Sequence, residues 1–160
     1  MQKTRSISSK LLWLLIWLPF AMFSMTGCDT EDEDERAEKD RNKILEYLQE
    51  NEIDDYYEND SGVFIVIENE GSGGYPHEGS TVRMNYTGYL LDGDVFDSVS
   101  GGDVFLPNTV VGFREGVLEF QRGGKGKILI PSRLGYGTSG TGSIPRNAVL
   151  IFDLEIIDFF

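Results

Sequence analysis

The run TVRMNYTGYLLDGDVFDS (residues 81–98) commits the chain to antiparallel β structure. Val82, Met84, Tyr86 and Leu90 fall on one face of an extended strand and Arg83, Asn85 and Thr87 on the other, as a two-residue period requires. Asp92-Gly93 then supplies the turn chemistry that sends the chain back as a second strand. Most of the 19 glycines lie after position 60, which favours a turn-rich β domain over a helical bundle. A length of 160 residues sets one domain with room for an appendage, and 40% hydrophobic and 12% aromatic residues suffice for a core.

Three further runs extend the β pattern. VFIVI (63–67) is a strand by its β-branched content, bounded by Asp60-Ser61-Gly62 and by Gly71-Ser72-Gly73-Gly74. KILIP (127–131) is a short buried strand that stops at Pro131. In AVLIFDLEI (148–156), Leu150, Phe152, Leu154 and Ile156 share one face, opposite the solvated Asp153 and Glu155. Between Asn108 and Phe120, VVGFREGVLEF suits one short helix with Phe113 and Val117 or Leu118 inward. The expected architecture is α+β, a single antiparallel sheet curled around that helix.

A second helix is expected between Arg36 and Ile53, where Ile44, Leu45 and Leu48 form a narrow apolar stripe and Asn51 offers a stop. It packs either on the domain or on a partner, or remains a marginal helix within a tether. Residues 28–60 hold 15 acids against 4 bases, so this part of the chain reads as a solvated, self-repelling spacer. The formal net charge of −13 argues against nucleic-acid binding, since phosphate neutralisation needs Lys and Arg.

Lys3, Arg5 and Lys10 precede the apolar run 11–23, and Met25-Thr26-Gly27-Cys28 follows it. A basic start, a short apolar core and small residues before a cut describe a secretory signal over residues 1–27. The apolar run contains Pro19 and falls short of the roughly 20 residues that span a bilayer. Cys28 is the only cysteine, so it has no internal disulfide partner. Met-Thr-Gly-Cys resembles the bacterial lipobox, and that resemblance implies lipid on Cys28 and attachment to a membrane, the outer membrane of a Gram-negative envelope being favoured. The acidic run after it also resembles export tags of surface lipoproteins.

Several chemistries lack the residues they need. His77 is the only histidine and lies in a Gly- and Pro-bordered loop, so triad mechanisms and zinc sites have too few ligands or bases. GGKGK (123–127) lacks the Ser or Thr and the helix start of a phosphate loop. No pair of carboxylates stands out from the acidic background for glycoside chemistry. No cofactor or metal is expected. What remains is a set of aromatics with few polar handles, suited to binding or to a reaction without a proton shuttle.

Four stretches, NYTGYLLDGDVFDS (85–98), VVGFREGV (110–117), LGYGTSGTGSIP (134–145) and LIFDLEI (150–156), resemble the FK506-binding-protein type of peptidyl-prolyl isomerase, in that family's order and near its spacing. The resemblance covers most of residues 61–160, which are taken as the isomerase domain, with 28–60 as the acidic tether and its helix. It implies a twisted antiparallel half-barrel over a short helix, with an apolar pocket that receives a proline ring. It further implies that Tyr86, Phe96 and Asp97 are pocket residues and that Phe105 is an aromatic wall. Thr109 and Val110 would offer backbone groups to the ligand, and Phe113 the pocket floor, where many members carry Trp. Tyr136 would donate its hydroxyl, Ile144 would lie over the pocket and Phe152 would form the inner wall. In this scheme Phe96, Phe113 and Phe152 hold the ring, Tyr136 and the Val110 N–H bind the flanking carbonyls, and Asp97 orients Tyr136 or polarises the site. The stretch from Phe105 to Val110 is shorter than in the small human members. The loop after Tyr136 is also one residue shorter, with Thr141 where those members have His.

The implied partners are proline-containing polypeptides, among them exported proteins. Family lipoproteins of gliding bacteria are a further likeness. Two other functions fit the same residues: a chaperone or binding module without turnover, and an envelope-complex subunit that uses the 36–53 helix. The hairpin adds a geometric condition. With a strict two-residue loop at Asp92-Gly93, Phe96 would oppose Tyr89 and face away from Tyr86. A shared pocket therefore requires one extra residue, as a three-residue loop or a bulge.

Overall fold

A computed structural model describes residues 33–160; the signal-like segment and Cys28 lie outside the described residues. The elements in chain order are α1 (Glu33–Glu50), β1 (Tyr57–Glu58), β2 (Phe64–Asn69), β3 (Thr81–Tyr89), β4 (Val95–Phe105), α2 (Val111–Val117), β5 (Lys125–Ile130) and β6 (Leu150–Phe159). Short 3₁₀ turns occupy Leu106–Asn108 and Ser132–Leu134. The strands form one sheet in the order β1-β2-β5-β6-β3-β4, with every neighbouring pair antiparallel. This is the α+β architecture expected, a sheet with one short helix and a helix before it.

Each face of the sheet carries its own core. On one face, Val63, Ile65, Ile128, Ile130, Leu150 and Ile156 pack with Phe113 and Val117 of α2. On the other, Phe64, Leu129 and Ile151 pack against Ile44 and Leu48 of α1. This explains why VFIVI and KILIP read as continuous apolar runs: successive residues point to opposite faces, and both faces are covered there. α2 lies close against β5 because Gly112 and Gly116 face it. A Cβ at Gly112 would stand 2.2 Å from Ile130 Cγ2, and one at Gly116 would stand 2.9 Å from Ile128 Cδ1.

The acidic segment, where described, takes one of the alternatives expected for its helix and packs on the domain. From Glu33 onward it is an 18-residue helix, and its apolar stripe is consumed by the domain. The described residues, 33–160, fall in one compact unit with no break at residue 61. Apart from Asp40, the acids of α1 face outward, while Ile44 and Leu48 are buried. α1 closes at Asn51, as expected. Glu52 follows with φ of +56°, and the N–H of Ile53 donates to Leu48 O at 2.9 Å. That left-handed closing residue with a six-to-one bond is a Schellman end.

Candidate active site

The hairpin that opens the site is irregular. The Leu90 N–H donates to Asp94 O at 3.0 Å and the Gly93 N–H to Leu90 O at 2.9 Å, so Leu91-Asp92-Gly93 form a three-residue loop, with Gly93 at φ +89°. The register then passes from Tyr89 opposite Val95 to Gly88 opposite Asp97, which leaves Phe96 as the extra residue of a bulge. In a bulge, two residues of one strand oppose one of the other, so consecutive side chains can face the same way. Phe96 and Asp97 accordingly both line one cavity with Tyr86. A second irregularity lies between Met84 and Tyr86, where Gly101 takes φ +61° and donates its N–H to Asn85 Oδ1 at 2.8 Å.

The cavity has a volume of about 560 Å³. Its inner end is a set of edge-to-face rings. Phe113 and Phe152 have centroids 4.8 Å apart, Tyr86 stands 5.5 Å from Phe113 and 5.8 Å from Phe152, and Phe96 stands 5.4 Å from Phe152. Phe113 and Phe152 are buried, so little of either ring is open to solvent. Thr109, Val110, Tyr136 and Ile144, also expected, line this cavity too. Ile144 is held over it by a miniature hairpin in which the N–H groups of Thr141 and Ile144 donate to each other's carbonyls, at 3.0 and 2.7 Å.

The polar groups are few. The Tyr86 hydroxyl donates to Asp97 Oδ2 at 2.7 Å. Burial, reinforced by that carboxylate, holds the Tyr86 phenol well above the usual tyrosine range, so it stays a neutral donor. Asp97 therefore orients Tyr86 rather than Tyr136. Thr109 spends both its N–H and its hydroxyl on Leu106 O, at 3.0 and 2.7 Å. Val110 is the N-cap of α2, where the first helical N–H groups have no partner within the helix. The arrangement can grip an apolar ring and meet a few flanking carbonyls and amides. Among the described residues, no three His, Cys, Asp or Glu side chains gather as a metal site.

Phe105 is not at this cavity. Val82, fully buried, pairs with Val104, and Thr81 pairs with Phe105. The alternation of β4 thus turns Val104 inward, where it lines the cavity, and leaves Phe105 46% exposed. Gly88, part of the NYTGY stretch but given no role from the sequence, belongs to the site: a Cβ there would meet Phe96 Cε2 at 2.6 Å and Phe152 Cε1 at 2.7 Å. A glycine inside a strand marks such a close approach.

Comparison with known proteins agrees with this geometry. The family model described as FKBP-type peptidyl-prolyl cis-trans isomerase matches residues 73–157. The FKBP-type peptidyl-prolyl cis-trans isomerase FkpA of Aeromonas hydrophila is 40% identical over 129 residues, covering 78% of this chain and 48% of the relative. FkpA of Escherichia coli strain K12 is 40% identical over 100 residues, or 60% of this chain and 37% of the relative. The chain thus spans less than half the length of these curated relatives. Among solved structures, the crystal structure of FkpA from Escherichia coli superposes with a TM-score of 0.68 at 29% identity, covering 79% of this chain and 62% of that one. That of AtFKBP13 gives 0.58 at 28%, over 65% of this chain and 98% of that one.

Proposed function

The chain belongs to the FKBP-type peptidyl-prolyl cis-trans isomerase family, and from that membership we propose that it accelerates rotation about X-Pro bonds in exported polypeptides, using the ring-lined cavity and no covalent step. The observation that carries this reading is the box of Tyr86, Phe96, Phe113 and Phe152, opening on Tyr136 and Ile144. An X-Pro bond isomerises in tens to hundreds of seconds unaided, because rotation breaks amide resonance over a barrier of roughly 18–20 kcal/mol. The twisted transition state has lost that resonance, so its imide is less polar than either planar form. A dry aromatic cavity favours it over both, and tighter binding of that state alone is catalysis. Each ~1.4 kcal/mol of such preference gives about tenfold in rate. In this reading Phe96, Phe113 and Phe152 hold the proline ring, and Asp97 fixes Tyr86 as a neutral wall. Tyr136 and the Val110 N–H meet the flanking carbonyls, with the Thr109 carbonyl and Ile144 completing the rim.

A proline-limited refolding assay tests it. The chain is expected to shorten the slow phase, and folded Phe96→Ala and Tyr136→Phe variants to lose at least about tenfold of that acceleration. A chaperone or other binding module would slow the phase or leave it unchanged, and that outcome would overturn the isomerase reading.

The same proposal places the domain in a cell envelope, held by lipid on Cys28, supported by the signal-like segment and the lipobox-like Met25-Thr26-Gly27-Cys28. Cys28→Ser is expected to move the protein from the membrane fraction to the soluble one. An envelope complex formed through α1 would use its outward acidic side, since Ile44 and Leu48 are buried in the domain.

A further inference from the structure

Asp40 lies in the middle of α1 with only 1% of its surface exposed. A carboxylate is that buried only where hydrogen bonds replace its water. One partner is Lys43, one turn along the helix, at 3.3 Å. The other is the backbone N–H of Ser132, which donates to Asp40 Oδ2 at 2.9 Å. Ser132 opens the 3₁₀ turn Ser132–Leu134, and the flanking Pro131 supplies no side-chain cap. Asp40 therefore caps, from another element, a turn that has no cap of its own.

The same residue is tied to the loop that carries Tyr136, through its other peptide group. Its carbonyl accepts the N–H of Gly135 at 3.0 Å and that of Gly137 at 2.9 Å, and these residues bracket Tyr136. The N–H of Asn147 donates to Gly137 O at 2.8 Å and ties the far side of the loop. No residue of α1 lines the cavity. We infer that Asp40 is a positioning residue for the cavity: through Ser132 it fixes the backbone on both sides of Tyr136, and with it the place of the Tyr136 hydroxyl. The catalytic consequence rests on the isomerase reading of the cavity, whereas the link from Asp40 to Tyr136 is structural and separately measurable.

The test uses the full chain with Asp40→Ala, Asp40→Asn and Ser132→Pro, the first also combined with Tyr136→Phe. Asp40→Ala is expected to lower kcat/KM for a proline tetrapeptide by between about tenfold and a hundredfold, as misplacement of a binding group does. Asp40→Asn keeps an oxygen that accepts the Ser132 N–H and is expected to retain most activity. Ser132→Pro removes the donor from the other end and is expected to reproduce the loss. In the Tyr136→Phe background, Asp40→Ala is expected to cost less than about twofold, because residues acting through one group are not additive. Additive losses would overturn the inference. Independently of turnover, 3-fluorotyrosine at position 136 is expected to shift its ¹⁹F resonance in Asp40→Ala and Ser132→Pro, while one at the exposed Tyr75 stays in place. An unmoved resonance at 136 in either variant defeats the link even if the chain is an active isomerase. A shifted one upholds it even if the chain proves inactive.

Discussion

At Gly88 and Gly93 the same substitution is expected to have two different consequences. Gly88 has ordinary strand geometry, so alanine meets no backbone strain there, but its methyl would stand 2.6 Å from the Phe96 ring and 2.7 Å from the Phe152 ring. Gly88→Ala is therefore expected to cost about 1–3 kcal/mol of overpacking and to lower kcat/KM by displacing the two rings. Gly93, at φ +89°, faces open space, and a methyl added to it would have no neighbour within 4 Å. Gly93→Ala is expected to cost about 1 kcal/mol through conformation alone, with the activity of the folded protein intact. Urea denaturation and proline-limited refolding on both variants check the contrast; equal effects on activity would contradict the ring-contact account. Of the aromatics named from the sequence, Tyr86, Phe96, Phe113, Tyr136 and Phe152 line the cavity and Phe105 does not. Which of Val104 and Phe105 turns inward was not, because that depends on register across two bulges. The partner of Asp97 was equally hidden: the bulge that turns it beside Phe96 also brings it under the Tyr86 hydroxyl.

Among the elements, α1 separates what average composition reports from what one helical face does. Its apolar positions were legible at helical spacing, but the acids around them suggested a spacer. A mean over a window cannot show that Ile44, Leu48 and Asp40 share the docked side while the other acids face solvent. The strands were more legible, because the two-residue period holds on either side of each bulge. Their ends were not, since β4 continues through Gly101 and Gly102 to Phe105. The C-terminal end of α1 offers a direct test of local strain. Glu52 holds φ +56° to let Ile53 bond back to Leu48, a conformation that costs an L-residue roughly 1–2 kcal/mol. Glycine removes that cost and adds a smaller unfolded-state entropy. Glu52→Gly is thus expected to stabilise the protein by up to about 1 kcal/mol, read as a raised urea midpoint with an unchanged slope. A lowered midpoint would show that the Glu52 side chain contributes more than its backbone costs.

For the molecule as a whole, three of its seven tyrosines make stability depend on alkaline pH. They occupy separate parts of the fold. Tyr86 is in the cavity beside Asp97. Tyr89 lies under α1, with Tyr47, Lys127 and Asp153 around its hydroxyl. Tyr57 donates to Glu119 at 3.1 Å. Burial is the largest influence on each, and neighbouring carboxylates or phenols act in the same direction, so all three are raised above the ordinary value of 10.0. A raised value means that the native state keeps its proton after the unfolded chain has lost it. Between the two values the unfolded state binds fewer protons, and stability falls as pH rises. The contribution is fully present below about pH 10 and is withdrawn above it, while carboxylates ionised at neutral pH do not change over that interval. A spectrophotometric titration of the native protein is expected to leave these three phenols un-ionised at pH 11, with all seven ionising together near pH 10 in urea. Unfolding midpoints measured in parallel are expected to fall from about pH 10 upward. Removing one phenol should flatten that fall in proportion: Tyr89→Phe, on the α1 face of the sheet and not among the cavity-lining residues, is expected to reduce the alkaline slope while leaving the refolding acceleration in place. A native titration that releases all seven tyrosines near pH 10, with stability level to pH 11, would mean that these hydroxyls reach water freely and that the contacts of Tyr57, Tyr86 and Tyr89 do not persist in solution.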